Sequence, residues 1–450
     1  MTPLERRSVG LLAVIYALRM AGLFLIFPVF ALYAQGLTGQ TPLLIGLALG
    51  AYGLTQALLQ IQFGTASDRY GRKPVIVVGL IIFAVGSVVA ALSTSVWGVI
   101  LGRALQGAGA IPAAVMALAS DLTREEQRTK AMAGIGIAIG SSMLFSIVLG
   151  PVLNGWIGVP GIFWLTGILA LLAIAVLVLW VPNPTRGARG HESATRAQYA
   201  TLLRDPQLAR LNIGIFCLHM AVPAMFLVIP HLVVEHLGLV ANEHWKVYLP
   251  VMIAGVVTMV PFLAMGNRPD RLRGVLALGI AVLLIAECML ALGHGSSLWL
   301  IAGLWIFFSG FNILEAMLPS LISRLAPARV KGAAMGIYST AQFLGAGIGG
   351  VAGGFLYGHF GATGVFVFAA IGFALWLAAV ATMPPVKFLA TRTVRIGKCS
   401  AAEAKRLAHD LLAVVGVAEA VVLADEGVVY LKVDATVLDE STLRRALPAS

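Results

Sequence analysis

Five ionisable side chains stand inside long apolar runs: Arg19, Arg103, His219, Glu287 and Glu315. A charge at membrane depth is costly, so such a group marks a partner, a water-filled space or a working site. Glu315, in Phe311-Asn-Ile-Leu-Glu315, has the chemistry to take up and release a proton. His219 is the second proton candidate, because a free imidazole titrates near pH 6.5. Arg103 is costly where it stands unless it faces water or a partner; packed on helix-end carbonyls it would be structural. Outside these runs, Gly64-Thr-Ala-Ser-Asp68-Arg69-Tyr-Gly71-Arg72-Lys73-Pro74 places four charges in one short turn. Gly64 lets two helices approach, Asp68 can accept hydrogen bonds at a helix end, and Gly71 permits a tight reversal. Solvated loop charges would look similar. His231, Glu235, His236, His244 and His294 gather near segment ends; interfacial caps account for them more simply than zinc. Cys217, Cys288 and Cys399 are too scattered for a disulfide framework or a metal cluster. No nucleophile–base set, phosphate loop or metal spacing argues for an enzyme, and no cofactor or metal is expected.

The elements that must position these groups are membrane helices. Of 450 residues, 59% are apolar and only 11% charged, against about 25% charged in ordinary soluble domains. A crossing helix needs about 20 apolar residues. Twelve segments qualify: 9–34, 43–66, 74–93, 96–120, 130–155, 160–181, 208–235, 246–267, 273–293, 297–323, 332–357 and 363–383. The net charge of +11 suggests nucleic acid at first sight. However, all but three of the 31 Lys and Arg fall in the N-terminus, in every second loop or in the tail. The exceptions are Arg19, Arg103 and Lys246. That asymmetry is the positive-inside pattern; it places both termini in the cytoplasm and removes nucleic acid as a partner.

The chain divides into residues 1–181, a polar and basic linker at 182–207, residues 208–385, and a charged tail at 391–450. In the tail, Thr393–Ile396, Val417–Leu423 and Val428–Val433 read as strands. Ser400-Ala-Ala-Glu403 is a capping box that opens a helix to about Val415. Asp425-Glu-Gly427 reads as a hairpin turn, and about 438–447 as a last helix. The order βαββα predicts a small ferredoxin-like unit.

The spacing G-x-x-x-D-R-x-G-R-K at Gly64–Lys73 resembles the signature between segments 2 and 3 of the major facilitator superfamily. Gly266-Asn-Arg-Pro-Asp270-Arg271, between segments 8 and 9, is a degraded copy without the second glycine. Arg103-Ala-Leu-Gln106-Gly107 resembles the family's R-x-x-Q-G motif in segment 4. In segment 5, Gly136-x-x-x-Gly140 precedes Gly150-Pro151-Val-Leu-Asn154-Gly155. The latter is similar to the antiporter signature, with its usual double glycine reduced to Gly155-Trp156. The whole chain, tail included, is similar to the proton-linked drug-efflux group of that family.

The resemblance implies an all-α polytopic membrane protein with twelve transmembrane helices in two six-helix halves, plus the small α+β ferredoxin-like C-terminal domain. It implies that Asp68, Arg72 and Asp121, with Gly64, Arg69 and Gly71 of the motif, latch the two halves on the cytoplasmic side in the outward-open state, against the start of segment 11 at Gly332. It implies that segments 1, 4, 7 and 10 line a cavity, so that Arg19, Arg103, His219 and Glu315 share one water-filled space. Glu287, on a more peripheral helix, reads as structural. Phe24, Phe27, Phe30, Met225, Phe226 and Phe311 would offer an apolar binding surface or simply pack. The family implies a bacterial inner membrane, export driven by proton entry, and a part for Arg103 in proton coupling, by lowering the pKa of a nearby acid. The expected activity is secondary transport of small amphipathic or drug-like molecules in exchange for protons. The expected partners are that substrate, protons and membrane lipid; the tail's partner stays open. Two alternatives remain: proton-linked transport of a metabolite such as a sugar, and a membrane sensor that signals through the tail.

Overall fold

The computed structural model describes residues 1–183, 196–266, 269–327, 330–384, 390–397, 399–424, 427–434 and 437–447. Linker residues 184–195, Asn267 and Arg268 of the second charged loop, and Asp425 and Glu426 of the expected hairpin turn lie outside the described residues.

The first crossing is α1 (Pro3–Phe24) followed by α2 (Phe27–Tyr33). Its break sits just before Pro28, which cannot donate to the preceding turn. α3 (Pro42–Tyr70) and α4 (Arg72–Leu92) follow, reversed at Gly71 with φ +101°. That value lies in the region that favours glycine. The fourth crossing, expected as one continuous helix, is broken into α5 (Val96–Ala108) and α6 (Pro112–Asp121). Pro112 has no N–H for the ladder, and the turn of Gly109–Ile111 absorbs the loss.

α7 (Glu125–Leu179) carries two crossings, reversed at Gly158 with φ +66°. The short α8 (Arg196–Arg204) leads into α9 (Pro206–Leu237), capped by Asp205. α10 (Trp245–Gly266), α11 (Pro269–Gly293) and α12 (Ser297–Leu325) come next. α13 (Lys331–Ala381) is again two crossings, reversed at Gly361 with φ +64°. Ten helices among the described residues are long and apolar enough to span a membrane. Two of them are double, which gives the twelve crossings expected. Large apolar side chains such as Phe145, Trp156 and Leu292 point outward. In water such a surface would drive association; in a bilayer it faces lipid.

The halves meet at the end away from the termini. α3 and α13 cross there on glycines. A Cβ on Gly46 would stand 2.2 Å from the Gly350 carbonyl oxygen, and one on Gly50 2.4 Å from that of Gly347. Bare backbones allow this approach, the small-residue packing of membrane helices. Phe27 of α2 stacks on Phe226 of α9 at 6.1 Å. Gln35 and His231 join the same end at 2.7 Å.

At the C-terminus, β1 (Ala390–Arg395), α14 (Ala401–Leu412), β2 (Val417–Leu423), β3 (Val428–Val433) and α15 (Glu440–Ala446) form the expected βαββα order. The sheet runs β1-β3-β2, all antiparallel. Ser400 and Glu403 make the capping box in both directions. β1 starts at Ala390, before the expected Thr393, because it pairs with β3 as far as Val433. α14 stops at Leu412, short of Val415, and Gly416 with φ +90° turns the chain into β2. The core is Leu411, Val414, Val429, Leu431, Val433 and Leu443. This unit touches the membrane body through Lys432 of β3. Its Nζ donates to the Ala326 carbonyl at 2.6 Å and to that of Arg324 at 3.4 Å. Those carbonyls close the C-terminal end of α12, where a helix favours a cation.

Candidate functional site

Three sets of polar side chains lie along the bundle, and each rests on local features of the chain. At the end that carries the termini, Arg72 opens α4 immediately after the Gly71 reversal. Its Nε donates to Asp121 Oδ2 at 3.0 Å, at the last residue of α6. Its Nη1 donates to Ser67 Oγ at 2.8 Å and to Asp68 Oδ1 one turn back. Asp68, Arg72 and Asp121 therefore join α3, α4 and α6 in a charge-assisted set. Lys73 closes on the Val181 carbonyl. A second clamp holds the same end: Glu5 accepts from the Arg124 guanidinium at 2.9 Å and from its backbone N–H at 3.0 Å. No spacing signal announces this pair, whose members are 119 residues apart.

The expected approach of this set to Gly332 is not made in this conformation. A Cβ on Gly332 would meet nothing within 4 Å. Gly64 needs no special closeness either, since a Cβ there would meet Ala113 Cβ at an ordinary 3.5 Å.

In the middle of the first half, Arg19 and Arg103 flank one ring. Their guanidinium carbons lie 5.3 and 5.0 Å from the centre of Tyr52. Arg19 donates to Gln56 Oε1 at 2.5 Å and to the Gly109 carbonyl at 2.9 Å. That carbonyl is turned out by the break before Pro112. Arg103 donates to Gln106 Oε1 at 2.8 Å, within the R-x-x-Q-G motif. Gln106 in turn donates to Ser87 Oγ at 2.8 Å, which meets Thr166 at 3.2 Å. Tyr52 and Gln56, which complete this network, carried no motif. Their only signal was the polar pair Gln56 and Gln60, one turn apart in an apolar run.

In the middle of the second half, His219 of α9 faces Glu315 of α12, with Nδ1 and Oε2 3.9 Å apart. His219 Nε2 meets the Gln342 amide of α13 at 2.7 Å. The Gln342 side-chain N–H donates to Nε2 when the ring is neutral and carries its proton on Nδ1, toward Glu315. The four candidates thus form two pairs, one in each half. Between the halves lies a narrow cavity of about 10 Å³, room for about one water, with Met20, Phe24 and Phe27 on one side and His219, Gln342 and Phe343 on the other. Phe343 meets Tyr52 with ring centres 6.4 Å apart, and so connects the two sides. Of the aromatic and Met candidates, Phe24 and Phe27 line this cavity; Phe30, Met225, Phe226 and Phe311 are packed in the core.

Glu287 is fully buried on α11, and neither carboxylate oxygen has a hydrogen-bond partner. Within the segment-5 signature, a Cβ on Gly150 would stand 2.3 Å from the Leu25 carbonyl and one on Gly155 2.9 Å from Asn242 Cβ. Asn242 precedes α10, so Gly155 packs across the two halves. Pro151 lies inside the helix, and Gly140 faces open space. The histidines near segment ends are dispersed: His244 bonds the Leu239 carbonyl and His294 the Thr363 hydroxyl. No grouping of three or more metal-binding side chains occurs among the described residues.

The sequence model of the Major Facilitator Superfamily matches residues 12–272 and 244–398. The chain is 43% identical over 448 residues to the inner membrane transport protein YajR of Escherichia coli (strain K12). That match covers 99% of this chain and 98% of the relative. It is 28% identical to the multidrug resistance protein MdtH of Klebsiella pneumoniae (strain 342), over 83% of this chain and 94% of that one. Among solved structures, a bacterial homolog of the human lysosomal transporter Spinster, described as inward-facing and unoccupied, superposes with a TM-score of 0.68. At 14% identity over 85% of this chain and 98% of that one, it speaks for the fold alone.

Proposed function

The chain belongs to the major facilitator superfamily, so it is a multi-pass membrane transporter and not an enzyme, and we propose that it is a proton-coupled antiporter exporting small amphipathic molecules. One observation carries this reading: a carboxyl and an imidazole, Glu315 and His219, face each other beside the cavity between the halves. The pair can pass from carboxylate plus imidazole to carboxylic acid plus imidazole by taking one proton, without a metal or covalent step. The name of the MdtH relative favours efflux of foreign compounds. The name of the YajR relative favours the inner membrane, and the distribution of Lys and Arg favours termini in the cytoplasm.

The motion in this reading is a rocking of the halves about the midplane. With the glycine crossing of α3 and α13 closed, access runs from the end that carries the termini. In the opposite state, Asp68, Arg72 and Asp121 approach the start of α13 at Gly332 and hold that end shut. A set of a few charge-assisted bonds biases such an equilibrium without locking it. Gly150, Pro151 and Gly155 supply the close packing and bend that let α7 follow.

The test is proton movement into liposomes that hold the purified protein, with amphipathic compounds added on one side. Wild type is expected to move protons when a substrate is present. Glu315→Gln is expected to abolish that flux while keeping substrate binding, and Asp68→Asn to slow it while keeping the coupling. Substrate-driven flux undiminished in Glu315→Gln would overturn the assignment. The tail is a candidate regulator of this cycle, and unchanged transport across pH and salt after removal of 388–450 would overturn that role.

A further inference from the structure

α13 brings a third helix to the His219–Glu315 pair. A Cβ on Gly345 or Gly349 would collide with the carbonyls of Phe216 and Met220, so α9 and α13 pack backbone on backbone around His219. Three residues before Gly345, Gln342 reaches the imidazole, with its amide nitrogen 2.7 Å from His219 Nε2. An amide nitrogen only donates, so Nε2 accepts and the neutral ring carries its proton on Nδ1. Nδ1 and Glu315 Oε2 face each other at 3.9 Å, and neither has a hydrogen-bond partner among the described residues. Both Gln342 and His219 belong to the second half, so their contact is made within one body.

The other side chains around the ring bring no further charge. Tyr338, one turn before Gln342 on the same face of α13, has a buried, unbonded hydroxyl within electrostatic reach of Glu315. Phe311 of α12 packs on the imidazole with ring centres 6.0 Å apart. Across the narrow cavity stand Met20, Phe24 and Phe27 of the first half. α3 has Tyr52 as its one ionisable side chain before Asp68, and Arg19 and Arg103 lie against that ring.

The position of the ring proton decides which group binds the next one. With Nδ1 protonated and Nε2 engaged by Gln342, the ring offers Glu315 no lone pair. An arriving proton then goes to the carboxylate alone: –COO⁻ and H⁺ give –COOH, and the imidazole stays neutral. With the ring proton on Nε2 instead, Nδ1 would turn its lone pair to Glu315 and compete for the same proton. An imidazolium beside a carboxylate would hold that proton more tightly, because each charge favours the other.

We propose that Gln342 is the positioning residue of the proton site: by donating to His219 Nε2 it fixes the Nδ1–H form of the ring and assigns the transported proton to Glu315. This deepens the antiport reading and rests on it for the word transported; the form of the ring is measured without transport.

The experiment is ring-nitrogen NMR of the full chain with isotope-labelled histidine, the His219 signals being identified by their loss in His219→Gln. It is paired with substrate-driven proton flux in liposomes over a series of pH values. Wild type is expected to show His219 protonated on Nδ1 and not on Nε2. In Gln342→Leu, and in Gln342→Met, which is closer to glutamine in length, the Nε2–H form should appear. A proton held about tenfold tighter corresponds to about one unit of apparent pKa, so the half-maximal pH of flux should rise by about one unit in these variants. A wild-type ring protonated on Nε2, with the Gln342 amide turned to accept from it, would overturn the proposal. So would a ring form unchanged in both variants, or a changed ring form with an unmoved pH profile. Should one variant fail to fold, the other and the wild-type spectrum still decide. If no compound drives flux in wild type while the ring form follows Gln342, the antiport reading falls and the placement of the ring proton stands.

Discussion

Gly140 and Gly150 belong to the same sequence signature, yet their surroundings differ completely. A methyl group on Gly140 meets open space, and one on Gly150 meets the Leu25 carbonyl at 2.3 Å, with Pro28 beside it at 3.0 Å. Gly140→Ala is therefore expected to leave thermal stability unchanged or slightly raised, since alanine favours the helix. Gly150→Ala is expected to cost about 1–3 kcal/mol through overpacking against backbone. Melting of the two variants in detergent checks this, and equal melting temperatures would contradict it. In the C-terminal unit, Asp439 caps α15 through the hydroxyls of Thr442 and Ser441 and the backbone N–H groups of both. Those bonds, led by the Thr442 hydroxyl, hold its carboxyl well below the usual range. A carboxyl lowered on folding stabilises fully above its unfolded pKa, near 3.9. That contribution fades as pH falls toward the folded value. The protection of amides across 440–446 in the whole protein, relative to their intrinsic exchange rates, should thus fall below about pH 4, and Asp439→Asn should flatten this dependence.

At the scale of elements, the conformation depends on one crossing. α3 and α13 approach on Gly46, Gly50, Gly347 and Gly350, backbone against backbone. No side chain fits there, so Gly50→Val is expected to hold the two helices apart at that end and populate the opposite state. Spin labels placed on the two helices near Leu43 and Gly358 would then report a longer distance than in wild type. An unchanged distance would mean that the crossing tolerates bulk by local bending. The breaks before Pro28 and Pro112 act differently: they free backbone groups at mid-depth, and the Gly109 carbonyl is used by Arg19. A proline in a membrane helix here supplies part of the polar lining, as expected where freed backbone groups find partners inside the protein.

For the whole molecule, the C-terminal unit is attached to the half that contains α12 and α13. Lys432 is nearly buried, with its Nζ on the carbonyls that end α12 and Glu419 at 3.6 Å. Lys432→Ala should leave the βαββα unit folded, because its core residues are elsewhere. The expected outcome is faster amide exchange at the end of α12, near Leu325, with β2 and β3 still protected. Protection unchanged at both places would show that the contact holds nothing in place.

Much of this architecture is decided by local chemistry that can be read along the chain. The apolar lengths specify twelve crossings, because a bilayer demands about 20 residues and satisfies no backbone group itself. The capping box at Ser400 and Glu403 and the alternation of Val428–Val433 specify the tail. The charges around Gly71 specify a tight turn, and the Arg72–Asp121 contact follows once that turn and α6 are placed. Other features depend on which helices become neighbours. The pairing of Glu5 with Arg124, the glycine crossing, and the separation of Arg19, Arg103, His219 and Glu315 into two pairs all join residues remote in sequence. Their geometry is set by how the two halves pack. The tertiary structure also decided the feature with the clearest chemistry, two guanidiniums around Tyr52 with neutral partners only. The sequence supplies Arg19 and Arg103 eighty-four positions apart; only the fold brings them to one ring and leaves their charge uncompensated.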